Sequence, residues 1–301
     1  MPDPLVSIVV FSYNHELFIA EALESILNQK VHFNYEILIS NDGSTDNTLS
    51  IIEKYAQQYP EVIKVFHHDI NQGVRQRILD IFRTIHSKYL AILDGDDYWN
   101  NEYKLQQQVD FLEENESYSG IFHDASILME DEQAEGKLFA HTRLYSQNYK
   151  YNENIFSEDV LKRLILPSSS AVLRYQQEFK ENLIWLDDNY SIDWKLACIA
   201  IKRSRFYFIN EPWSVYRNHK NGMSKSNKAA FHFSHISFLK KLLEDDVLKD
   251  YSYEIYQTIS QEYQILLEDK NIQFNRRKIF KEYFKNEAMR LWWYWKKMKK
   301  K

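Results

Sequence analysis

The sequence predicts an α/β fold, a mostly parallel central sheet flanked by helices, with a helical extension after it. Three observations carry this. Strand and helix patterns alternate four times within the first hundred residues, as crossover connections in a parallel sheet require. The segment 89–93 is an unbroken apolar run, as a strand buried on both faces is. From Ala229 onward the pattern is helical throughout.

The elements follow in order. Residues 6–11 are a β-branched strand closed by Ser12, Tyr13, Asn14 and His15. A helix follows, with Phe18, Ala22 and Ile26 at helical spacing. Residues 35–39 make the second strand, ending in Asn41, Asp42, Gly43, Ser44, Thr45 and Asp46, which are turn formers and helix caps. A helix through Ile51, Ile52 and Tyr55 stops at Pro60. Residues 62–67 form a third strand, Asn71-Gln72-Gly73 a turn, and 77–87 a helix leading into the strand at 89–93. Beyond it, 103–114 is helical, 120–129 a strand, and 131–154 a weakly patterned surface excursion. Ser157 caps a short helix that stops at Pro167, and 168–173 returns to the sheet. A helix over 191–202 and a last strand over 205–209 complete the α/β part. The boundary is expected at 225–229, separating a domain of residues 1–228 from a helical extension of 229–301.

Composition excludes several classes. A lone cysteine, Cys198, supports no internal disulfide framework and points to a reduced, cytoplasmic setting. Met1-Pro2-Asp3-Pro4 opens no signal peptide, and no apolar run approaches the length of a membrane span. The net charge is −5, but residues 289–301 carry +6 and the remainder −11. An acidic body argues against a nucleic-acid partner.

The chemistry concentrates where Asp94-Gly95-Asp96-Asp97 follows directly on the apolar strand 89–93. Open α/β sheets bind ligands beyond the carboxyl ends of their strands. Three carboxylates this close repel, so a positive partner is expected, and hard oxygen donors suit Mg²⁺ or Mn²⁺ together with a substrate's phosphates. The turns after the first, second and fourth strands project to one edge, so an aromatic, an aspartate and an acidic turn meet there. No glycine-rich phosphate loop is present, which leaves the phosphate charge to a metal.

This order of motifs resembles the family 2 glycosyltransferases, which have the Rossmann-like GT-A fold, over roughly residues 5–220. The strand and helix from Val6 through Ser25-Ile26-Leu27-Asn28-Gln29, the turn Asn41-Asp42-Gly43-Ser44-Thr45-Asp46, and Asp94-Gly95-Asp96-Asp97-Tyr98-Trp99 match its opening element, nucleotide turn and DxD motif. The resemblance implies a nucleotide-sugar half at about 1–100 and an acceptor half at about 101–228. It implies a donor site drawn from Phe11, Tyr13, Asn14, Asp42, Ser44, Arg77, Asp94, Gly95 and Arg217, with Asp42 on the base. It implies a Mn²⁺ or Mg²⁺ site drawn from Asp94, Asp96, Asp97 and His219, with Asp96 and Asp97 as rivals for the principal ligand. Asp193 takes the place of the family's acidic general base, although Ile192 stands where the family commonly has glutamate. Arg217 and His219 fall in a Tyr-Arg-x-His segment that closes over the donor diphosphate. At Gln76-Arg77-Ile78 the chain departs from the family's Ala-Arg-Asn.

The implied activity is metal-dependent, inverting transfer from a nucleoside diphosphate sugar, UDP-linked as first choice, to a saccharide or lipid-linked saccharide in surface polysaccharide assembly. A catalytically silent assembly partner and a nucleotidyltransferase are the rivals; the latter lacks its glycine- and basic-rich loop. Without ligand spacing for zinc, His67-His68-Asp69 and His123-Asp124 are structural, and Trp99, Trp194 and Cys198 are packing. In 280–301 an aromatic face beside lysines suits the inner face of the cell membrane. The alternatives are docking of those aromatics on the protein and a homodimer contact.

Overall fold

The computed structural model describes residues 3–129, 138–143, 152–162, 167–186, 190–202, 204–219, 228–269 and 275–299. The chain divides into two compact units. The first comprises Met1–Ile155, Leu166–Leu183 and Ser204–Lys220; the second comprises Phe156–Ile165, Ile184–Arg203 and Asn221–Lys301. Segment 229–301 falls in the second unit with two stretches from earlier in the chain.

Ten strands of the first unit's described residues form one sheet. Its centre is β1 (Val6–Ser12), every residue buried, flanked in parallel by β2 (Tyr35–Asp42) and β4 (Tyr89–Asp94), with β3 (Ile63–His68) beyond β2. Both faces of β1 are covered, which is why its sequence has no alternation. The path continues from β4 through β9 (Val172–Arg174), β6 (Tyr118–Met129) and β10 (Arg205–Asn218) to β5 (Tyr98–Trp99). β10 runs parallel to β6, whereas the antiparallel partners β5, β7 (Leu138–Arg143), β8 (Glu153–Ile155) and β9 are short. The long ladders are therefore parallel, as the sequence predicts. Helices α1 (Ile19–Leu27), α2 (Thr48–Gln58), α3 (Val74–Phe82) and α4 (Lys104–Glu114) follow the strands. Ile19, Ala22, Leu23 and Ile26 of α1 join the core with Val6, Ile8 and Val10.

Several boundaries move. The last strand, expected to stop at residue 209, continues to Asn218. Pro212 is absorbed by register shifts against β6, where a residue lacking N–H does least harm. Helix α3 starts at Val74 because Gly73, with φ 86°, turns the chain directly into it. The weakly patterned stretch 131–154 contributes β7 and β8; its residues 131–137 and 144–151 lie outside the described part. Ser157 does not cap α5 (Ser157–Leu161); it is the first helical residue, and its hydroxyl donates to Ile201 O at 3.2 Å. Residues 163–166 before Pro167, and 225–227 of the expected boundary, are likewise outside the described part. Helix α6 (Gln177–Asn182) closes the first unit's element list.

The second unit is helical: α5, α7 (Ile192–Ala200), α8 (Lys228–Leu242), α9 (Ser252–Glu268) and α10 (Arg276–Met298). Trp194 is core here, its ring 5.6 Å from that of Phe238 and its indole N–H donating to Val160 O at 2.9 Å. Cys198 is buried in α7 with its thiol pKa pushed up by burial. It packs and does not react.

Candidate functional site

Sheet register fixes which strand ends meet. Phe11 stands opposite Asp94, Ser12 opposite Asn41, and Asp42 opposite His68. With β2 and β3 on one side of β1 and β4 on the other, the strand order reverses between β1 and β4, where open α/β sheets leave a crevice.

The first two turns are tied to each other. Asn14 adopts φ 55°, tolerable because Asn bonds locally in the left-handed region. Its amide donates to Ser44 Oγ at 3.0 Å, and its Oδ1 accepts from Thr45 N at 2.8 Å. Ser44 Oγ in turn donates to Asn41 Oδ1 at 2.5 Å. Asp46, one residue before the α2 N-cap, accepts from Thr48 N at 3.0 Å. Gly43, at φ 67°, has no room for a side chain: a Cβ there would lie 2.7 Å from Asn71 N. Tyr13 is exposed beside this knot.

Asp42 faces inward. It is fully buried, and its oxygens accept from Gln72 N at 2.8 Å and Gly73 N at 3.0 Å, with Arg77 Nε 3.2 Å away. The carboxylate expected to meet a base instead anchors the 71–73 turn. Arg77 is buried too, 5.8 Å from the Phe11 ring centroid. Among the described residues its Nε and Nη1 have no hydrogen-bond partner. Burial lowers its pKa against the opposing pull of Asp42 and Asp94. Arg77 thus supplies the positive charge expected beside the acids.

The acidic turn separates its three carboxylates. Gly95 N donates to Phe11 O at 2.8 Å and Asp97 N to Asp94 O at 2.9 Å, which folds the turn tightly over β1. A Cβ on Gly95 would lie 2.9 Å from both His15 Nδ1 and Phe11 O. Asp94, still in strand β4, acts electrostatically on Arg77. Asp96 Oδ2 lies 3.0 Å from His219 Nε2 and 3.7 Å from His15 Nε2. Burial alone would raise its pKa, but the hydrogen bond from His219 and the charge of His15 hold it below the ordinary carboxylate range. Asp97, a member of the expected metal set, is engaged within the protein. It is buried and accepts from Ser169 Oγ at 2.7 Å and from Arg217 N at 2.9 Å. Burial, then the charges of Asp96 and Asp94, push its pKa well up.

Arg217, expected on the donor side, is likewise engaged within the protein. Its guanidinium is buried, donating to Asp96 O at 2.7 Å and to Glu21, between the rings of Phe18 and Tyr98 at 5.0 and 4.8 Å. These contacts brace the acidic turn from behind. His15 is the residue sequence reasoning missed. It is partly buried beside Asp96, its pKa is lowered chiefly by burial, and among the described residues its Nδ1 has no hydrogen-bond partner. Among the described residues no group of three or more His, Cys, Asp or Glu is arranged to hold a metal. Asp96 and His219 offer one hard oxygen and one imidazole, a partial set that fits Mn²⁺ or Mg²⁺ when phosphate oxygens and water complete the shell.

Asp193 lies in the second unit, in the first turn of α7. Its pKa is raised by burial, against hydrogen bonds from the amides of Trp194 and of Asp193 itself and the charge of His235. The entry to α7 is held from α8 and α9. Ser191 sits at φ 48°, and its hydroxyl is 2.7 Å from His235 Nε2. Glu262, fully buried, receives His235 Nδ1 at 2.9 Å and His232 Nδ1 at 2.5 Å. This chain of contacts keeps an uncommon backbone conformation two residues before Asp193.

The comparisons agree with this architecture. A family model described as "Glycosyl transferase family 2" matches residues 7–176. An uncharacterized protein of Mycobacterium tuberculosis is 29% identical over 219 residues, covering 72% of this chain and 60% of that one. The minor teichoic acid biosynthesis protein GgaB of Bacillus subtilis is 29% identical over 259 residues, covering 83% of this chain and 27% of its own length. The chain therefore spans less than two thirds of each of these relatives. The structure of S. aureus TarS 1–349 in complex with UDP-GlcNAc superposes with a TM-score of 0.66 at 18% identity, over 86% of this chain and 72% of that one. That likeness establishes the fold.

The brace formed by Arg217 predicts the effect of its removal. Arg217→Gln should lose about 2 kcal/mol of stability, because the Asp96 carbonyl on the acidic turn is left without its donor. Thermal unfolding in the absence of any nucleotide should show a lower midpoint. A variant of unchanged midpoint would mean that the side chain serves ligand alone.

Proposed function

We propose that this chain, which belongs to glycosyl transferase family 2, moves one sugar from a nucleoside diphosphate sugar to an acceptor hydroxyl with inversion, using a divalent metal. The observation that supports it most is the meeting of the β1, β2 and β4 ends, where Asp96 and His219 pair 3.0 Å apart beside Asp94. UDP-linked sugars are the first choice of donor. A saccharide or lipid-linked saccharide in surface polysaccharide assembly is the acceptor class, in keeping with the teichoic acid name of one relative.

Each side chain then has a task. Phe11, Tyr13, Asn14 and Ser44 edge the nucleotide side. Asp42 and Arg77 set the 71–73 turn against it. Asp96 and His219, with Asp94 nearby, would hold Mn²⁺ or Mg²⁺, and such an ion offsets the charge on a departing diphosphate. Arg217 and Asp97 keep the turn in place from beneath. Asp193 is the proposed base. It takes the acceptor's hydroxyl proton as the new carbon–oxygen bond forms at the anomeric carbon and the bond to the diphosphate oxygen breaks.

Calorimetry with UDP, GDP and dTDP, each with and without Mn²⁺, tests the donor half on the wild type and Asp96→Asn. One nucleotide should bind only with metal, and the variant should lose that binding. If no nucleotide binds under either condition, a transferase is ruled out and a silent assembly partner takes its place.

The raised pKa of Asp193 gives a paired prediction. A carboxyl that holds its proton more tightly when folded contributes most to stability below its unfolded pKa, near 3.9. Stability then falls as pH rises toward the folded value. Asp193→Asn should therefore melt higher than wild type at neutral pH while losing about 10²-fold or more in transfer rate. The acid limb of the wild-type rate profile should lie above pH ~3.9. Equal melting midpoints, or a variant that keeps full rate, would assign the base elsewhere.

A further inference from the structure

We infer that helix α10 is a docking surface for an anionic lipid bilayer, lying in the plane of the membrane. One side of this helix is occupied within its own unit. Ile279 and Asn286 are buried, Asn286 Nδ2 donates to Tyr256 O at 2.8 Å and Ser260 Oγ at 2.7 Å, and Lys297 pairs with Glu254 at 2.5 Å. At 3.6 residues per turn the opposite side carries Phe280, Phe284, Leu291, Trp295 and Met298. All five are more than half exposed, Trp295 at 65%. Monomeric proteins seldom leave such a run of large apolar side chains in water without a use.

Charge identifies the occupant. Lys281, Lys285, Lys296 and Lys299 are exposed along the strip beside this stripe, with Trp292 among them. Lys296 Nζ rests over the Trp292 and Trp293 rings at 4.7 and 4.4 Å, which sets ammonium and indole at one level. The helix has two acids, and Glu287 is bonded to Arg290 and Ser260. An apolar stripe, an indole border and a lysine row match acyl boundary, headgroup level and anionic phosphate in turn. A bare apolar partner would have no use for the lysines. Among the described residues no helix is long and apolar enough to cross a bilayer, so α10 rests on the surface. The inference is independent of sugar transfer, since vesicle binding needs neither donor nor metal.

Sedimentation of the full chain with phosphatidylcholine vesicles, and with vesicles of phosphatidylcholine and phosphatidylglycerol, tests it. Two variants accompany the wild type: Trp292→Ser with Trp295→Ser, and Lys281, Lys285, Lys296 and Lys299 each changed to Gln. The wild type should bind the anionic vesicles, more weakly as salt rises. Each variant should bind about tenfold or more weakly while melting like the wild type, because the altered side chains are exposed. Absence of binding, or equal binding to neutral vesicles, would overturn the inference. So would a wild-type dimer, seen by light scattering, that the tryptophan variant splits, because a second copy would then cover the face.

Discussion

Three carboxylates within four residues at the end of one buried strand repel each other, and the surrounding structure is arranged to separate them. Asp94 remains in β4 within the field of Arg77. Asp97 turns under the sheet edge to Ser169 and the Arg217 amide. Asp96 lies between His219 and His15. The tight turn that permits this depends on Gly95, since a side chain there would collide with His15 and β1. Electrostatic separation thus gives each acid its own partners in the fold.

The same logic explains the positions of the positive groups. Arg77 and Arg217 are both buried, and each is held by acids or carbonyls of the protein. Breaking a buried ion pair by removing one partner is costly. These arginines therefore help fix the geometry of the strand ends. The second unit repeats the pattern with a carboxylate, Glu262, that receives two histidines and through His235 steadies Ser191.

Much of this was legible in the sequence, and the failures have identifiable causes. The unbroken apolar run at 89–93 and the largely apolar, non-alternating stretches of β1 and β2 mark the sheet centre, because strands covered on both faces need no alternation. Strand-end turns at Asn14, Asp42 and Asp94 follow from local turn chemistry and meet as expected. Pro212 reads as a strand stop, yet a bulge absorbs it. The orientations of Asp97 and Arg217 depend on partners 72 and 120 residues or more away, beyond any local pattern. Asp42 turns inward for the same reason, toward amides about thirty residues on. His15 follows a turn motif without any periodic signal, and only the fold brings it to Asp96.

The division of labour in the acidic turn is tested most directly by thermal unfolding of Asp96→Ala and Asp97→Ala, each with and without Mn²⁺ and the bound nucleoside diphosphate. Asp96→Ala should gain nothing from metal and nucleotide. Asp97→Ala should melt lower without ligand, because Ser169 and the Arg217 amide lose their acceptor, and should still be stabilised by ligand. If Asp97→Ala keeps the wild-type midpoint and loses the ligand response while Asp96→Ala retains it, the assignment of the two carboxylates is contradicted.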